Sequence, residues 1–545
     1  MRIRLTEANG ALGDEYRVRT PIPRDVTIGD ADNDGRNELV LIESTTNRIK
    51  VYRWAVAQKA QATALDFGSV RLIPLPKDEN PDKRDFAVGD MDGDGLPDLL
   101  VTDPTTARMT IVRSVRGKGL GAAESFPSLQ EATRVVVATL GRQGPPSAFL
   151  ISKKEGILGV SRYDKNTGRL TYPQPIELPG KPQEMAVRPA GKDGPEALVC
   201  IVEMEKGKDD KKARLEIVVV EAAEEGYRVA ARQEAPGLDE APLRLMAVDV
   251  NADGRSDLLA LRTYQPAALL VQNADGKFED VTAGPQFRKH ILRGLAPASV
   301  AMARLRRDEQ PLMVVCSENL ARAVAYENGN LVVKDQYSSP NANADFKAVH
   351  VADLDGDGAS EVLLFESKSH LLCILKRNAK GVFEPAEQVE VGPFTVMGLL
   401  REDIDGDKVP EVLIVGRENV GVMSVGSVTE LSEVASIEAD EEDEAVYAQV
   451  LVSDLNADGK NDLALRDVGQ NQLEIFARTA EGKWVSGMRF KVFETRGFER
   501  AYPGMPGGQG GGDPRELVAA DVTGDGLTDM AIITHDRVIV YPQQK

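Results

Sequence analysis

Seven short acidic segments of this chain carry the residue types of a site for a hard cation. One of them, within FAVGDMDGDGLPDLLVTD at residues 86–103, places Asp90, Asp92 and Asp94 at alternate positions and adds Asp98. Carboxylates this close repel one another, so they need a cation among them or an open, hydrated loop. The pattern D-x-[DNT]-x-D-[GK]-x-x-[DE] occurs seven times, which excludes chance.

We number these nine-residue segments loops 1 to 7 in chain order. They span 30–38, 90–98, 249–257, 353–361, 403–411, 454–462 and 521–529. Positions 1, 3, 5 and 9 offer side-chain oxygens, and position 7 can offer its backbone carbonyl. Ca²⁺ takes about 6–8 oxygens in flexible geometry, and glycine at position 6 permits the turn that returns position 9. The predicted ligands of several, at most seven, Ca²⁺ ions are Asp30, Asp32, Asp34, Arg36, Glu38, Asp90, Asp92, Asp94, Leu96, Asp98, Asp249, Asn251, Asp253, Arg255, Asp257, Asp353, Asp355, Asp357, Ala359, Glu361, Asp403, Asp405, Asp407, Val409, Glu411, Asp454, Asn456, Asp458, Lys460, Asp462, Asp521, Thr523, Asp525, Leu527 and Asp529.

Other cation sites fit these loops less well. Transition metals are disfavoured because no loop contains His or Cys. Mg²⁺ stays an alternative, although it prefers small octahedral sites that keep water ligands. An EF-hand requires a carboxylate at position 12 and two flanking helices, whereas position 12 is Leu41 in loop 1 and Val101 in loop 2.

The seven loops are not equivalent. Loops 3, 6 and 7 carry an amide or a hydroxyl at position 3, so we expect them to bind metal more weakly; these residues are Asn251, Asn456 and Thr523. Loop 5 has Lys408 where the other loops have glycine, which costs turn geometry if its φ is positive.

The loops recur within longer repeats. An alternating apolar run precedes each loop and a β-branched apolar run follows it, which predicts a strand on either side. Three degenerate copies lie between the acidic ones, and we expect them to be metal-free; in the third, Arg304 and Arg306 replace the first two acids. The ten resulting units start near residues 22, 84, 133, 183, 243, 298, 346, 394, 446 and 515.

Each unit contains about four strand signals, separated by turns rich in Gly, Asn, Asp and Pro. A repeat of ~40–60 residues with four antiparallel strands is typical of a propeller blade. The sequence thus predicts an all-β fold, a β-propeller of about ten blades in one closed ring, in which residues 1–21 complete the last blade. Two smaller propellers, or a ring with additional sheets, are the alternatives, because propellers usually have ~4–8 blades.

Composition excludes some classes of partner. The net charge of −20 argues against nucleic acid, which is bound by basic surfaces. No apolar run reaches the ~20 residues of a membrane helix, so membrane insertion is not expected. The opening segment MRIRLTEANG has no apolar run of the kind that a signal peptide contains. No nucleophile–base or HExxH motif is present, which favours a protein that is not an enzyme.

The loops resemble the FG-GAP/VCBS repeats of integrin α-subunit propellers and of many secreted bacterial proteins. The stretch LLVQNADGKFEDVTAGPQF is similar to the hairpin of VCBS-repeat proteins. The resemblance implies Ca²⁺ between the first two strands of a blade, an extracellular or periplasmic location, and a role in adhesion or binding.

These observations predict a calcium-stabilised β-propeller that binds a protein or glycan through loops on one face. Two alternatives remain: a carbohydrate-active enzyme (a polysaccharide lyase or hydrolase) on a propeller scaffold, or a structural subunit of a surface complex.

Overall fold

The fold is all-β throughout the part of the chain that is described. The computed structural model describes residues 2–6, 12–18, 20–58, 70–205, 214–305, 310–378, 380–425, 427–437, 445–479, 484–492, 516–534 and 537–543. Within these ranges there are four short 3₁₀ helices and no α-helix, and none of the helices is long and apolar enough to cross a membrane. The 3₁₀ helices are Pro81–Lys83, Val281–Ala283, Lys289–Leu292 and Pro297–Ser299.

The strands are numbered in chain order. The first sixteen are β1 (Arg2–Thr6), β2 (Leu12–Arg17), β3 (Pro23–Gly29), β4 (Glu38–Glu43), β5 (Ile49–Gln58), β6 (Val70–Pro74), β7 (Phe86–Gly89), β8 (Asp98–Asp103), β9 (Arg108–Val115), β10 (Gly119–Pro127), β11 (Ala132–Ala138), β12 (Ser147–Ser152), β13 (Ile157–Ser161), β14 (Tyr163–Asp164), β15 (Arg169–Leu170) and β16 (Gln174–Ile176). The next sixteen are β17 (Lys181–Arg188), β18 (Ala197–Glu203), β19 (Leu215–Ala222), β20 (Tyr227–Glu234), β21 (Arg244–Val248), β22 (Asp257–Leu261), β23 (Ala268–Gln272), β24 (Phe278–Asp280), β25 (Val300–Ala303), β26 (Leu312–Ser317), β27 (Leu320–Glu327), β28 (Asn330–Ser338), β29 (Phe346–Ala352), β30 (Glu361–Glu366), β31 (Leu371–Arg377) and β32 (Phe383–Glu390). The last eleven are β33 (Val396–Glu402), β34 (Glu411–Gly416), β35 (Asn419–Met423), β36 (Ser427–Ile437), β37 (Tyr447–Ser453), β38 (Asp462–Asp467), β39 (Gln472–Arg478), β40 (Trp484–Lys491), β41 (Glu516–Ala520), β42 (Asp529–Ile533) and β43 (Val538–Tyr541).

The chain divides into two compact units. Unit 1 comprises Met1–Arg2, Val18–Gln58 and Val428–Lys545, and unit 2 comprises Ile3–Arg17 and Lys59–Ser427. Unit 2 has seven antiparallel sheets, sheets 1 to 7, in the strand orders β7-β8-β9-β10, β11-β12-β13-β16, β17-β18-β19-β20, β21-β22-β23-β24, β25-β26-β27-β28, β29-β30-β31-β32 and β33-β34-β35-β6-β2-β1. Strands β14 and β15 form a separate small hairpin.

The seven sheets of unit 2 pack in an order that returns to its start. Successive side chains of a strand point to opposite faces, so Leu258 packs in the core toward sheet 3 and Leu259 in the core toward sheet 5. Seven such cores join sheet 1 to 2, 2 to 3, 3 to 4, 4 to 5, 5 to 6, 6 to 7 and 7 back to 1. Because both faces of every sheet are buried, the middle strands are almost continuously apolar. Unit 2 is therefore a seven-bladed β-propeller.

The first strands of all seven sheets line one central cavity of about 480 Å³. An ion-pair chain that contributes to its lining links sheets 1 to 4. The Asp85 carboxylate accepts hydrogen bonds of 2.7 Å from both Arg134 and Arg244, and Arg134 also pairs with Glu184 at 2.6 Å. All four side chains are largely buried. These ion pairs therefore connect blades that are not neighbours in the ring.

His350 of sheet 6 also lines the cavity, and we predict that it makes the fold acid-sensitive. Burial, together with the nearby Arg401 guanidinium, lowers the pKa of His350 to about 4. The unfolded chain takes up this proton near the ordinary pKa of 6.5, whereas the folded chain does not, so stability is lost as the pH falls from about 6.5 to about 4. Between pH 7 and pH 5, at constant calcium, wild type should lose about 2 kcal/mol more than His350→Gln in denaturant unfolding. Equal losses would contradict this assignment.

Unit 1 has three antiparallel sheets, sheets 8 to 10, in the orders β3-β4-β5-β36, β37-β38-β39-β40 and β41-β42-β43. One apolar core joins sheets 8 and 9, and a smaller one joins sheets 9 and 10. The prediction of an all-β fold built from four-stranded antiparallel sheets is thus confirmed.

Strand pairing differs from the sequence-based expectation at two places. Residues 1–21 do not complete the last blade: β2 pairs with β6 in sheet 7, with Tyr16 opposite Arg71. The fourth strands of two sheets are also exchanged. Strand β6 pairs with β35 of sheet 7, and β36 lies beside β5 in sheet 8. Every residue except proline offers the same backbone N–H and C=O groups, so hydrogen bonding alone does not select which strand pairs with an open sheet edge.

The single ring of ten blades is wrong for the sheets of unit 2, because their packing order closes with seven. The three remaining sheets belong to unit 1.

Candidate metal-binding loops

All seven acidic loops join the first strand of a sheet to the second, as predicted, and position 9 begins the second strand. The same three hydrogen bonds, each from a backbone N–H to a side-chain carboxylate, shape every loop. The position 6 N–H donates to the position 1 carboxylate at 2.9–3.1 Å. The position 7 N–H donates to position 5 at 2.6–2.9 Å. The position 2 N–H donates to position 9 at 2.8–3.1 Å. Aspartate at positions 1 and 5 therefore has a structural role as well as a charge.

The turn at position 6 is left-handed in every loop, with φ between 73° and 89°. Six loops have glycine there, which adopts this conformation without a Cβ penalty. Loop 5 has Lys408 with φ 73°, so the sequence-based concern about this residue is confirmed.

We predict that relieving this turn stabilises the protein. In calcium, Lys408→Gly should be about 1 kcal/mol more stable than Lys408→Ala in denaturant unfolding. A side chain in the left-handed region costs about 1–2 kcal/mol in the folded state. Glycine avoids this cost but loses part of the advantage, because its unfolded chain has greater conformational freedom. Both variants remove the same charge, so the comparison isolates the backbone. Equal stability of the two variants would contradict the interpretation.

Position 9 behaves differently when it is aspartate and when it is glutamate. The second oxygen of Asp98 accepts the backbone N–H of Ser114 on the third strand, at 3.0 Å. Asp257 and Asp529 make the equivalent bond. The longer glutamates reach the loop: Glu38 and Glu411 lie in the same carboxylate clusters as positions 1 and 3. Sequence reasoning treated position 9 as one kind of ligand, whereas three of its aspartates bind a second backbone N–H and two of its glutamates join a carboxylate cluster.

Four loops bring three carboxylates together among the described residues. In each, one oxygen from every member lies within 4.8 Å of the others. The members are Asp30, Asp32 and Glu38 in loop 1, Asp90, Asp92 and Asp94 in loop 2, Asp353, Asp355 and Asp357 in loop 4, and Asp403, Asp405 and Glu411 in loop 5. Loops 3, 6 and 7, which have Asn or Thr at position 3, lack a third converging carboxylate. The predicted position 7 carbonyls remain predictions.

Burial raises the pKa of the position 9 carboxyl in six loops, and the neighbouring loop aspartates raise it further. The pKa reaches about 6 for Asp98 and Asp257, and about 7 for Glu361 and Glu411. Asp529 is the exception, because N–H donors from Gln543 and Thr523 lower its pKa. Oε1 of the fully buried Glu361 accepts no hydrogen bond among the described residues. A cation would compensate these charges, so the donor set fits a hard divalent ion.

Basic side chains from the third strand enter two of the loops and approach a third, a feature that sequence reasoning missed. In loop 4, Lys376 Nζ lies 2.5 Å from Asp355, 2.9 Å from Asp357 and 3.7 Å from Glu361. In loop 1, the guanidinium of Arg53 pairs in the same way with Asp32, Asp34 and Glu38. In loop 2, Arg113 stays 3.8 Å from Asp92 and is bound to Glu124 at 2.8 Å. Only the strand register reveals these contacts.

The degenerate copies are connected by direct hydrogen bonds. Thr139 of sheet 2 donates to Glu196 of sheet 3 at 2.6 Å. The N–H of Ser256 in loop 3 donates to Asp193 at 3.2 Å. The Arg304 carbonyl accepts from Ser360 of loop 4 at 3.1 Å, and Arg306 lies outside the described residues.

Comparison with known proteins places one segment in a repeat family. Residues 30–101, which contain loops 1 and 2, match the FG-GAP-like repeat, in agreement with the resemblance drawn from the loops. No curated protein matches the chain. The crystal structure of BBS1N in complex with ARL6DN, soaked with lead, is 12% identical with a TM-score of 0.42, covering 68% of this chain and 97% of that one. A protein from Lactobacillus plantarum is 13% identical with a TM-score of 0.31, covering 61% and 91%.

Proposed function

We propose that this protein, which carries FG-GAP-like repeat sequence at residues 30–101, is a calcium-stabilised β-propeller module that binds a protein or glycan and does not act as an enzyme. The observation that carries the metal part of the proposal is the convergence of three carboxylates in each of four loops. In the ionised form these groups repel one another beside a buried position 9 acid, and a divalent cation removes that repulsion.

Calcium fits the donor set better than other ions. The side-chain ligands are oxygens only, which suits Ca²⁺ and Mg²⁺ and disfavours transition metals. Four or five protein oxygens on a flexible loop match the irregular coordination of Ca²⁺ more closely than the strict octahedron of Mg²⁺. In loop 5, Asp403, Asp405 and Glu411 would hold the ion, whose charge would keep the buried Glu411 carboxyl ionised.

Calcium binding is tested by isothermal titration of the full chain after treatment with a chelator. We expect several equivalents of Ca²⁺, and one fewer for Asp405→Asn. Asp275→Asn is the matched control, because it removes the same charge from a hairpin turn outside the loops. No uptake by wild type, or the same loss of one equivalent in the control, would contradict the proposal.

The measured affinity also bears on location. We propose an extracellular or periplasmic setting, supported by the repeat family and by loops that suit abundant calcium. Dissociation constants of about 10⁻⁴–10⁻³ M are typical of extracellular modules, and nanomolar constants would argue against this setting.

Partner binding rests on the family resemblance and on the exposed tips of the loops. A glycan array and a protein-interaction screen in calcium, both with product analysis, test it. Retention of a partner without turnover is the expected result. Chemical conversion of a bound glycan would overturn the binding-module proposal in favour of an enzyme.

A further inference from the structure

One position, on the third strand or directly after its last residue, lies beside the loop in each of the seven loop-bearing sheets. The position is defined by strand register. In sheet 6, Val362 is the second residue of the second strand and pairs with Leu375, and the position is the next residue after Leu375, which is Lys376. The register is the same in the other six sheets. In loop order the occupants are Arg53, Arg113, Val271, Lys376, Ser424, Ala477 and Pro542.

The charge at this position follows the residue at loop position 3. Loops 1, 2 and 4 have aspartate at position 3 and a base at this third-strand position. Loops 3, 6 and 7 have Asn or Thr at position 3 and no base at this third-strand position. Loop 5 has aspartate at position 3 and Ser424 at the third-strand position, and Lys408 stands at position 6 of the same loop. Bases at position 7 occur in both groups and do not follow this division. A base at this third-strand position therefore occurs only beside a loop with aspartate at position 3, and loop 5 is the one such loop without it.

Contacts support the same pairing. Where the third-strand base enters a loop, its nearest carboxylate is the aspartate at position 3, both for Arg53 with Asp32 and for Lys376 with Asp355. Each of these bases also reaches positions 5 and 9. The cationic group thus lies among the oxygens that were predicted to bind the metal ion.

We propose that the third-strand residue is a built-in counter-cation that sets how strongly each loop binds a divalent ion; this inference rests on the proposed function. Loops 1 and 4 are neutralised by Arg53 and Lys376 and bind Ca²⁺ weakly. Loop 5, with Ser424 in this place, is the strongest of the four-carboxylate sites. Loop 2 is intermediate, because Glu124 holds Arg113 away from Asp92.

Competition has a simple physical basis. A base and a metal ion that share the same oxygens repel each other, so Ca²⁺ must displace the base to enter. The side chains of Lys376 and Arg53 are 35% and 32% exposed, which lets them turn toward solvent when displaced. Their presence weakens metal binding without preventing it. Loops 1 and 4 then keep their shape at low calcium, whereas loop 5 depends on the ion.

The test is calcium titration of chelator-treated full chain by isothermal calorimetry. Lys376→Met and Arg53→Gln should each tighten binding at one site by on the order of tenfold, and the double variant should do so at two. Lys376→Arg, which keeps the charge, should behave as wild type. Ser424→Lys should weaken one strong site by a similar factor, and it provides a test that removes no native ion pair if a charge-removing variant fails to fold.

The outcomes separate this inference from the proposed function. Calcium uptake by wild type that is unchanged in Lys376→Met, Arg53→Gln and Ser424→Lys overturns the inference and leaves the proposed function in place. Uptake by Lys376→Met with none by wild type supports the inference and contradicts the proposed function. No uptake by any of the proteins overturns both.

Discussion

Removing calcium with a chelator is expected to lower the melting temperature of this protein by on the order of 10 °C. A ligand that binds only the folded state at 100 times its dissociation constant stabilises that state by ~2.7 kcal/mol. Among the described residues, no base lies within hydrogen-bonding distance of a carboxylate of loops 2 and 5. These two loops together supply ~5 kcal/mol on this basis. For a unit of this size each kcal/mol moves the midpoint by about 2 °C.

The measurement is differential scanning calorimetry in 10 mM calcium and in excess chelator, at one ionic strength. The variant with both Asp92→Asn and Asp405→Asn should show a smaller difference between the two conditions, while Asp275→Asn should match wild type. Identical melting temperatures with and without calcium would remove the case for metal stabilisation.

Replacing Asp85 by alanine is expected to destabilise unit 2 by about 3–5 kcal/mol, the range found when one partner of a buried ion pair is removed. Although burial opposes ionisation, the guanidiniums of Arg244 and Arg134 hold the pKa of Asp85 well below its usual range. Without that carboxylate, two largely buried guanidiniums lose their shared acceptor, and the N–H of Val135 loses its bond of 2.9 Å.

Denaturant unfolding of Asp85→Ala, Asp85→Asn and Glu327→Ala checks this prediction. Asp85→Asn keeps an acceptor for Val135 and should show an intermediate loss. Glu327 forms an ion pair of the same length, 2.7 Å, with Lys334, but both side chains are exposed, so its removal should cost no more than about 1 kcal/mol. Similar losses of stability for Asp85→Ala and Glu327→Ala would show that the buried ion pairs of Asp85 stabilise the fold no more than an exposed ion pair does.

Local patterns in the sequence are sufficient to predict the loops. Position 1, position 5 and the glycine at position 6 are set by bonds within nine residues, so the repeat itself reveals them. The flanking strands follow from alternation and β-branched runs. All of these features depend on near neighbours in the chain, and a local pattern of residue types is therefore enough to specify them.

Features set by distant pairing are not accessible in this way. The exchange of β6 and β36 between sheets depends on which strand covers which edge, and this pairing joins residues that are far apart in the chain. The position of Lys376 beside loop 4 follows from the register of β30 and β31, which periodicity alone does not define. The ring of seven depends on the angle between blades, a property of the packed cores.

The pairing of β5 with β36 has a consequence for synthesis of the chain. Everything from β6 to β35 leaves the ribosome between these two strands, so at about 5–20 residues per second β5 waits roughly 20–70 s for its partner. During that interval the outer edge of β5 has no strand beside it, and such edges promote association with other chains. Nascent chains arrested before residue 427 should therefore sediment as aggregates more readily than finished protein, and unit 1 should acquire protease resistance only after unit 2.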